Sequence, residues 1–424
     1  MRDNRSLFGA ICGAALLVLA APALAEDSVS DLAEQAVAEN PSLVAMEAKE
    51  RALQQSAAVA GAWPDPMLML EYSNVPVSSL GLSDHPMAGL QFKITQTLRP
   101  ARWSQLQQDI GISRADSASH MTQEAALQLR ASVHRTWWLL TRSRLLEDVT
   151  REHLARTEEL LSSARIRYET GSLGQHAVLR LEVLRDRLFD ELEDYQRNDH
   201  VLSAALGEAL GGNLYQTYDT PTVPSLLAPP EQDWMQLALE HRPLLKSLTS
   251  QLETEMKSAE LARVDGRPDV SVWAGYRLRT VETELDSGAD LVSVGVGIPL
   301  PIGSARRADG AEAAAQERAH GVESLYRAAL NDINAEMASI RAIWSRAFSK
   351  AQTYREQLIP ESQAVLETTL SDFSVGRAEF AALFEAEVTL LNLERAWIIA
   401  ATETHIQNAE TIGVIGVSSI GDEP

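Results

Sequence analysis

The side chains that could carry out chemistry are few and scattered in this sequence. The only cysteine is Cys12, and the nine histidines form no HExxH pair of metal ligands. No glycine-rich loop with its lysine is present to bind phosphate. His200 and His405 recur at equivalent positions of two predicted helices, which favours a structural role, and His85 and Met87 lie in a predicted solvent-exposed loop. We therefore expect no catalytic residue, no cofactor and no metal site, and a protein that is not an enzyme.

The composition limits the remaining function classes. The 424 residues carry a formal net charge of −22 without a basic cluster, so nucleic acid is not an expected partner. The mean hydropathy of −0.14 excludes a protein made of many membrane-spanning helices, because each span needs about 20 consecutive apolar residues. This argument does not apply to strands, whose alternating side chains leave the average polar.

The first 25 residues are typical of a secretory signal peptide. Arg2 and Arg5 precede an apolar run over 7–19, and small residues up to Ala25 form a cleavage site. The mature chain then begins at Glu26 and contains no cysteine. We expect the protein to be exported from the cytoplasm.

The mature chain contains two similar halves. Equivalent residues recur 202 to 206 positions apart, among them Pro41 and Pro243, Tyr72 and Tyr276, and Trp138 and Trp344. Near-constant spacing over this length predicts a duplicated domain. We expect a first repeat over 26–210, a linker over 211–230, a second repeat over 231–413 and a flexible tail over 414–424.

Each repeat is predicted to contain a helix, two strands, a long helix and a returning helix. Asn40 and Arg242 precede prolines that suit the first position of a helix, and the first of these helices should end near Ala62. The helix over 101–168 contains no proline, which predicts a rod of about 100 Å. Pro360 interrupts the second rod, where the first has Ala155, so a kink is expected in one hairpin only.

The strands near 66–98 and 269–300 alternate with a period of two, least clearly over 67–73, which predicts an apolar and a polar face. At about nine to eleven residues they could cross a bilayer when tilted. The apolar series consists of Leu90, Phe92, Ile94, Val270, Val272, Tyr276, Val292, Val294, Val296 and Ile298. A soluble hairpin resting on a core is the simpler interpretation of any one pair, whereas Lys93, Arg277 and Arg279 on the polar face suit a wet lumen.

Both rods end in a turn that contains glycine, which supplies the left-handed conformation that closes a helix. The tip residues are Thr170, Gly171, Ser172 and Leu173 in the first repeat and Val375, Gly376, Arg377 and Ala378 in the second. In the second rod, apolar residues from Ile333 to Tyr354 follow steps of four and three, as in a coiled-coil seam.

The order of these elements, repeated twice, resembles the TolC family of outer-membrane efflux factors over essentially the whole mature chain. The matching features are the Asn40–Pro41 and Arg242–Pro243 openings, Pro64–Asp65–Pro66 and Pro268–Asp269 before the strands, the stretch from Ile298 to Gly303, and an aromatic residue three before each tip glycine. Pro64–Pro66 followed by Met67 and Leu68 is similar to the heavy-metal-efflux branch typified by CusC and CzcC. The first repeat departs from the pattern, because it has Arg99–Pro100–Ala101 where the second has Gly303.

The resemblance implies a homotrimer, and the strand count agrees. Four strands cannot close a pore, and an open sheet edge would leave backbone groups unsatisfied in lipid, so three chains would supply twelve strands. The expected fold is α+β and mostly α. Four strands per chain would join a 12-stranded barrel in the outer membrane of a Gram-negative bacterium, and the duplicated helical hairpins would form a periplasmic α-barrel. The apolar series would face outer-membrane lipid.

The resemblance also implies partners and an entrance gate. The tips would dock a periplasmic adaptor, or membrane fusion protein, that bridges to an inner-membrane pump of the RND type. The acidic residue that lines the entrance in this family maps to Glu385, nine residues after Gly376. Three such carboxylates would form a ring that favours cations, and a solvated helix face is the alternative.

The sequence thus predicts the outer-membrane channel of a tripartite efflux system that passively conducts metal cations or small toxic compounds. The same fold serving a type I protein secretion system is one alternative. A soluble periplasmic coiled-coil scaffold without a pore is another.

Overall fold

The structure is a computed structural model that describes residues 29–82, 84–212, 218, 220, 225–279 and 289–417. Over these residues the chain forms nine α-helices and four β-strands. The helices are α1 (Val29–Glu39), α2 (Pro41–Val59), α3 (Ala101–Glu169), α4 (Gln175–Ala209), α5 (Trp234–His241), α6 (Pro243–Asp265), α7 (Ser304–Thr353), α8 (Ile359–Ser374) and α9 (Phe380–Ile415). The strands are β1 (Met67–Ser73), β2 (Gly89–Leu98), β3 (Val270–Leu278) and β4 (Leu291–Gly297). The predicted signal peptide over 1–25 lies outside the described residues, as do most of the linker and residues 280–288 and 418–424.

Each repeat begins with a short helix that sequence analysis missed. α1 and α5 have 11 and 8 residues and precede the predicted openings at Asn40 and Arg242. Helices of this length are marginal in isolation, so packing must hold them in place. α1 buries Leu32, Ala33 and Ala36 in a cluster with residues of α3 and α4.

The two predicted helix openings use different caps. The Oδ1 atom of Asn40 accepts a hydrogen bond from the Ser42 amide at 2.9 Å, which confirms Asn40 as the cap of α2. Arg242 makes no such cap at the start of α6. There Glu124 of α3 accepts from the Leu244 amide at 3.1 Å.

The four strands form one antiparallel sheet in the order β1-β2-β3-β4, so the hairpins of the two repeats pair through β2 and β3. Directly opposite residues of antiparallel strands share a face. Phe92 lies opposite Tyr276, which in turn lies opposite Val292, so the apolar series falls on one face. β1 and β4 have seven residues each, fewer than predicted, because each is an edge strand with one pairing partner in the chain.

The first repeat has Arg99–Pro100–Ala101 where the second has Gly303, and the backbone at the two junctions between sheet and rod explains this difference. Gly303 has φ +82° and opens α7 from the left-handed region, which favours glycine. Pro100 precedes α3 with φ −58° and ψ 137°, an extended conformation that needs no glycine. The two repeats therefore enter their rods by different backbone routes.

The first rod is one continuous helix, α3, of 69 residues, about 100 Å long. The second is divided into α7 and α8 by a π-helical segment over Tyr354–Leu358, in which the Ile359 amide donates to the Tyr354 carbonyl. Pro360 is the second residue of α8 and lacks the N–H that a continuous helix would use, and the π-helical segment directly precedes α8. A bend of the rod at Pro360 stays a prediction.

The core runs along the helices. In α7 the predicted seam is buried from Ile333 to Ala351, including Trp344 at 0% exposure. The expected tail starts too early at 414, because α9 continues to Ile415 and packs Val414 and Ile415 into the cluster around Trp344. No helix in the described ranges is long and apolar enough to span a membrane.

Candidate functional site: sheet faces and hairpin tips

The apolar face of the sheet is exposed. Of the ten residues predicted to face lipid, Leu90 and Val270 are half-buried and the others are exposed, up to 77% at Val294. Ile298 lies one residue beyond the end of β4. The face extends onto β1 through Leu68, Leu70 and Tyr72, which the sequence pattern did not reveal. Four adjacent strands thus present one continuous apolar surface to the outside of the chain.

The opposite face carries polar and cationic side chains. The Lys93 ammonium lies 4.4 Å from the centre of the Trp273 ring, and Arg277 donates to Gln91 Oε1 at 2.6 Å. Glycine makes room for these large groups. A Cβ atom on Gly295 would lie 2.5 Å from the Trp273 ring. This face is therefore packed within itself by cation-π and hydrogen-bond contacts and keeps its charged groups toward water.

The two hairpin tips have the same backbone motif. Gly171 and Gly376 have φ +73° and +77°. The Ser172 amide donates to the Arg167 carbonyl at 2.9 Å, and the Arg377 amide to the Asp372 carbonyl at 2.8 Å. These six-residue closures are Schellman motifs, in which glycine at the left-handed position ends the helix.

The structure brings the two tips together. Arg167 of the first hairpin donates to the Phe373 and Ser374 carbonyls at 3.1 and 3.2 Å, at the end of α8. Its guanidinium carbon also lies 4.4 Å from the centre of the Phe373 ring. Leu173 and Ala378 are half-buried beside a shared apolar cluster. The exposed tip residues are Thr170, Gly171, Ser172, Val375, Gly376 and Arg377.

Glu385 lies five residues after the start of α9 and is exposed. Glu387, two residues further on, is instead buried at 3% exposure. Two residues correspond to a rotation of about 200° around a helix, so the two carboxylates leave α9 on nearly opposite sides. A cavity of about 650 Å³ lies between α3, α8 and α9 beside Glu387.

A buried histidine between the two hairpins was missed by sequence analysis. His153 of α3 is 0% exposed, with Nδ1 2.6 Å from Glu387 Oε1 and Nε2 2.7 Å from Glu394 Oε2 of α9. We call these three side chains the His153 clamp. Burial by itself lowers the pKa of His153, but the hydrogen bonds and charges of both glutamates outweigh it and raise the pKa above 6.5.

The other histidines singled out from the sequence have local roles. His405 stacks on Trp138 with ring centres 3.7 Å apart, and its Nε2 donates to the Ser225 carbonyl at 2.8 Å. Burial lowers the pKa of His405, so it is neutral. His200 and His85 are exposed. Within the described ranges, no three His, Cys, Asp or Glu side chains are grouped so as to hold a metal ion.

The chain belongs to the outer membrane efflux protein family, whose sequence model matches residues 32–212 and again 234–416. This is a family of transport proteins, and the match confirms the resemblance stated from the sequence. Comparison with curated proteins gave no match.

Solved outer-membrane channels share the fold. The structure is similar to VceC of Vibrio cholerae, with a TM-score of 0.76 and 17% identity over 92% of this chain and 96% of that one. MtrE of Neisseria gonorrhoeae gives a TM-score of 0.73 and 15% identity over 92% and 88%. CusC gives 0.73 and 14% over 92% and 92%, so the comparison does not single out the heavy-metal branch. The mostly helical fold with a four-stranded sheet is confirmed.

Proposed function

We propose that this protein is the outer-membrane channel of a tripartite efflux system and passively conducts metal cations or small toxic compounds. Three copies form a 12-stranded barrel, and the helical hairpins extend into the periplasm. The tips dock a periplasmic adaptor, which connects the channel to an inner-membrane pump of the RND type.

The observation that carries this proposal is the division of the sheet into two faces. Val292, Val294 and Val296 are 63% to 77% exposed on the apolar face. A surface of this kind on an isolated chain requires a partner or a membrane. The free edges of β1 and β4 require pairing as well, since unpaired backbone groups are costly in lipid. Edge pairing between three copies and contact with lipid satisfy both needs, and the polar face then lines the pore.

Adjacent residues of β4 offer a matched test. Val294 lies on the apolar face, and Ser293, which is also exposed, lies on the polar face. We expect Val294→Arg to reduce the protein recovered from outer membranes, because a cation facing lipid costs about 2–4 kcal/mol at the bilayer centre. Ser293→Arg should leave assembly intact and change the ion selectivity of pores in planar bilayers. Membrane fractionation and single-channel recording measure the two effects. Equal recovery of both variants, or a mature protein in the soluble fraction, would contradict the proposal.

A further inference from the structure

The His153 clamp joins the two hairpins about five helical turns before the first tip. His153 comes from α3, and Glu387 and Glu394 both come from α9. The two glutamates are seven residues apart, which places them on one side of the helix. One imidazole ring therefore fixes the rotation of α9 against α3 at two points.

With both glutamates ionised, the contacts require a proton on each ring nitrogen. Ionised carboxylates accept hydrogen bonds and cannot donate them, and both nitrogens of His153 face a carboxylate oxygen. Only the imidazolium form has a donor at both positions. The positive charge also offsets part of the negative charge of the two acidic groups at the helix interface.

The charged group nearest along α9 is already paired. Arg395 donates to Thr150 Oγ1 of α3 at 2.9 Å and forms an ion pair with Glu191 of α4. Its guanidinium is thus held between Thr150 of α3 and Glu191 of α4.

The neighbouring side chains of α3 and α8 add no unpaired charge beside the clamp. Arg156, one turn along α3, pairs with Glu152 of the same helix. From α8 the uncharged Gln363 approaches, with its Nε2 3.4 Å from Glu394 Oε1. The proton on His153 therefore supplies the positive charge that faces Glu387 and Glu394.

We propose that His153 is a positioning residue of the entrance: in its protonated form it fastens α9 to α3 and thereby sets the direction in which Glu385 points. The role of Glu385 rests on the proposed function, whereas the clamp itself does not depend on a pore. Loss of the proton leaves one N–H for two carboxylates, so one carboxylate loses its hydrogen bond to His153 and with it the link between α3 and α9. A cavity of about 650 Å³ lies beside Glu387.

The clamp should respond to alkaline rather than acidic pH. The pKa of His153 is raised in the folded protein above 6.5. A raised pKa means that the stabilisation is complete below about pH 6.5 and is lost as the pH rises through the folded-state value. The hairpins are therefore held together while His153 carries its proton and are released as the pH rises through its folded-state pKa.

Pulsed EPR can measure the clamp in the intact protein. The mature chain has no native cysteine once the predicted signal peptide is removed. Spin labels at Ala155→Cys and Thr389→Cys, both exposed positions, therefore report on the separation of α3 and α9. We expect a narrow distance distribution at pH 6 that broadens toward pH 9. His153→Gln should be broad throughout, and Glu394→Gln should lower the midpoint by about one pH unit. His200→Gln, an exposed histidine of α4, should behave as the native protein.

A second measurement tests the connection to the gate. The conductance of reconstituted pores should rise between pH 6 and pH 9 in the native protein and in His200→Gln, and should be high and independent of pH in His153→Gln. A distance distribution that stays constant with pH, or that still responds in His153→Gln, overturns the clamp. If the distance between α3 and α9 responds to pH but the conductance does not, the clamp is upheld and its role at the entrance is overturned. If the protein forms no pore at all, the proposed function is refuted.

Discussion

Asn40 and Arg242 occupy equivalent positions in the two repeats. The side chain of each donates a hydrogen bond to a carbonyl at the end of another helix. Asn40 Nδ2 donates to the Ala209 carbonyl at the end of α4 at 3.0 Å. Arg242 Nη1 donates to the Val414 carbonyl at the end of α9 at 2.8 Å. Different residues thus form the same joint in both repeats, that is, a hydrogen bond from the start of the strand-preceding helix to the end of the returning helix. The separation of 169 and 172 residues between partners explains why the sequence predicted the cap at Asn40 but not the joint.

Gly416 should be essential to the second joint. Its φ is +84°, and a Cβ atom at this position would lie 2.7 Å from Arg242 Cα. We expect Gly416→Ala to destabilise the protein by about 1–3 kcal/mol, through backbone strain and this clash. The thermal midpoint, followed by circular dichroism in detergent, measures the loss.

Gly321→Ala is the matched control for that experiment. Gly321 lies within α7, and a Cβ atom there would meet no atom within 4 Å. Alanine should stabilise the helix at this position by about 0.5–1 kcal/mol. An unchanged midpoint in Gly416→Ala would show that the joint does not need glycine.

At the level of elements, the strands and rods were predictable because their signals are local. Pro64 and Pro66 marked the start of the first strand pair, alternation from Leu90 to Ile94 located β2, and the absence of proline located α3. The short helices α1 and α5 were missed because their stability comes from packing. The His153 clamp was missed because 234 residues separate His153 from Glu387. The spacing of seven between the two glutamates is the only part of this site visible in the sequence.

The hairpin tips are predicted to contact a periplasmic adaptor. Val375 is 64% exposed at the second tip. We expect a photoreactive amino acid at Val375 to crosslink to a periplasmic adaptor of the membrane fusion type in living cells, because an exposed apolar side chain beside a closed turn suits a helical partner. Mass spectrometry of the crosslinked band identifies the captured protein.

Leu325 on α7 is the control for that crosslink. It is 58% exposed and distant in sequence from the tip. A probe at Leu325 should not capture the adaptor. Adaptor capture at Leu325 but not at Val375 would place docking on the rods and refute docking at the tips.

At the level of the whole molecule, the net charge of −22 suggests a pore that tolerates cations. Acidic residues should affect ion selectivity most where the proposed trimer brings three copies of the same residue together. Glu385 is exposed near the start of α9, and three copies would form a carboxylate ring. We expect Glu385→Gln to lower the cation-to-anion permeability ratio, measured from reversal potentials in planar bilayers.

Glu240→Gln removes the same charge at an exposed position on α5, away from the tips. This variant should keep the native selectivity. If Glu385→Gln and Glu240→Gln behave alike, Glu385 lies on a solvated helix face and does not form the gate.

The pairing of β2 with β3 has a consequence for how the ring is put together. In the proposed trimer, six hairpins meet at six seams, and this pairing makes three of those seams within single chains. Each association of separate pieces costs about 4–15 kcal/mol in translational and rotational freedom. Joining two hairpins in one polypeptide reduces the encounters needed to close the ring from five to two. Duplication of the hairpin unit therefore lowers the entropy cost of assembly without adding any contact to the finished barrel.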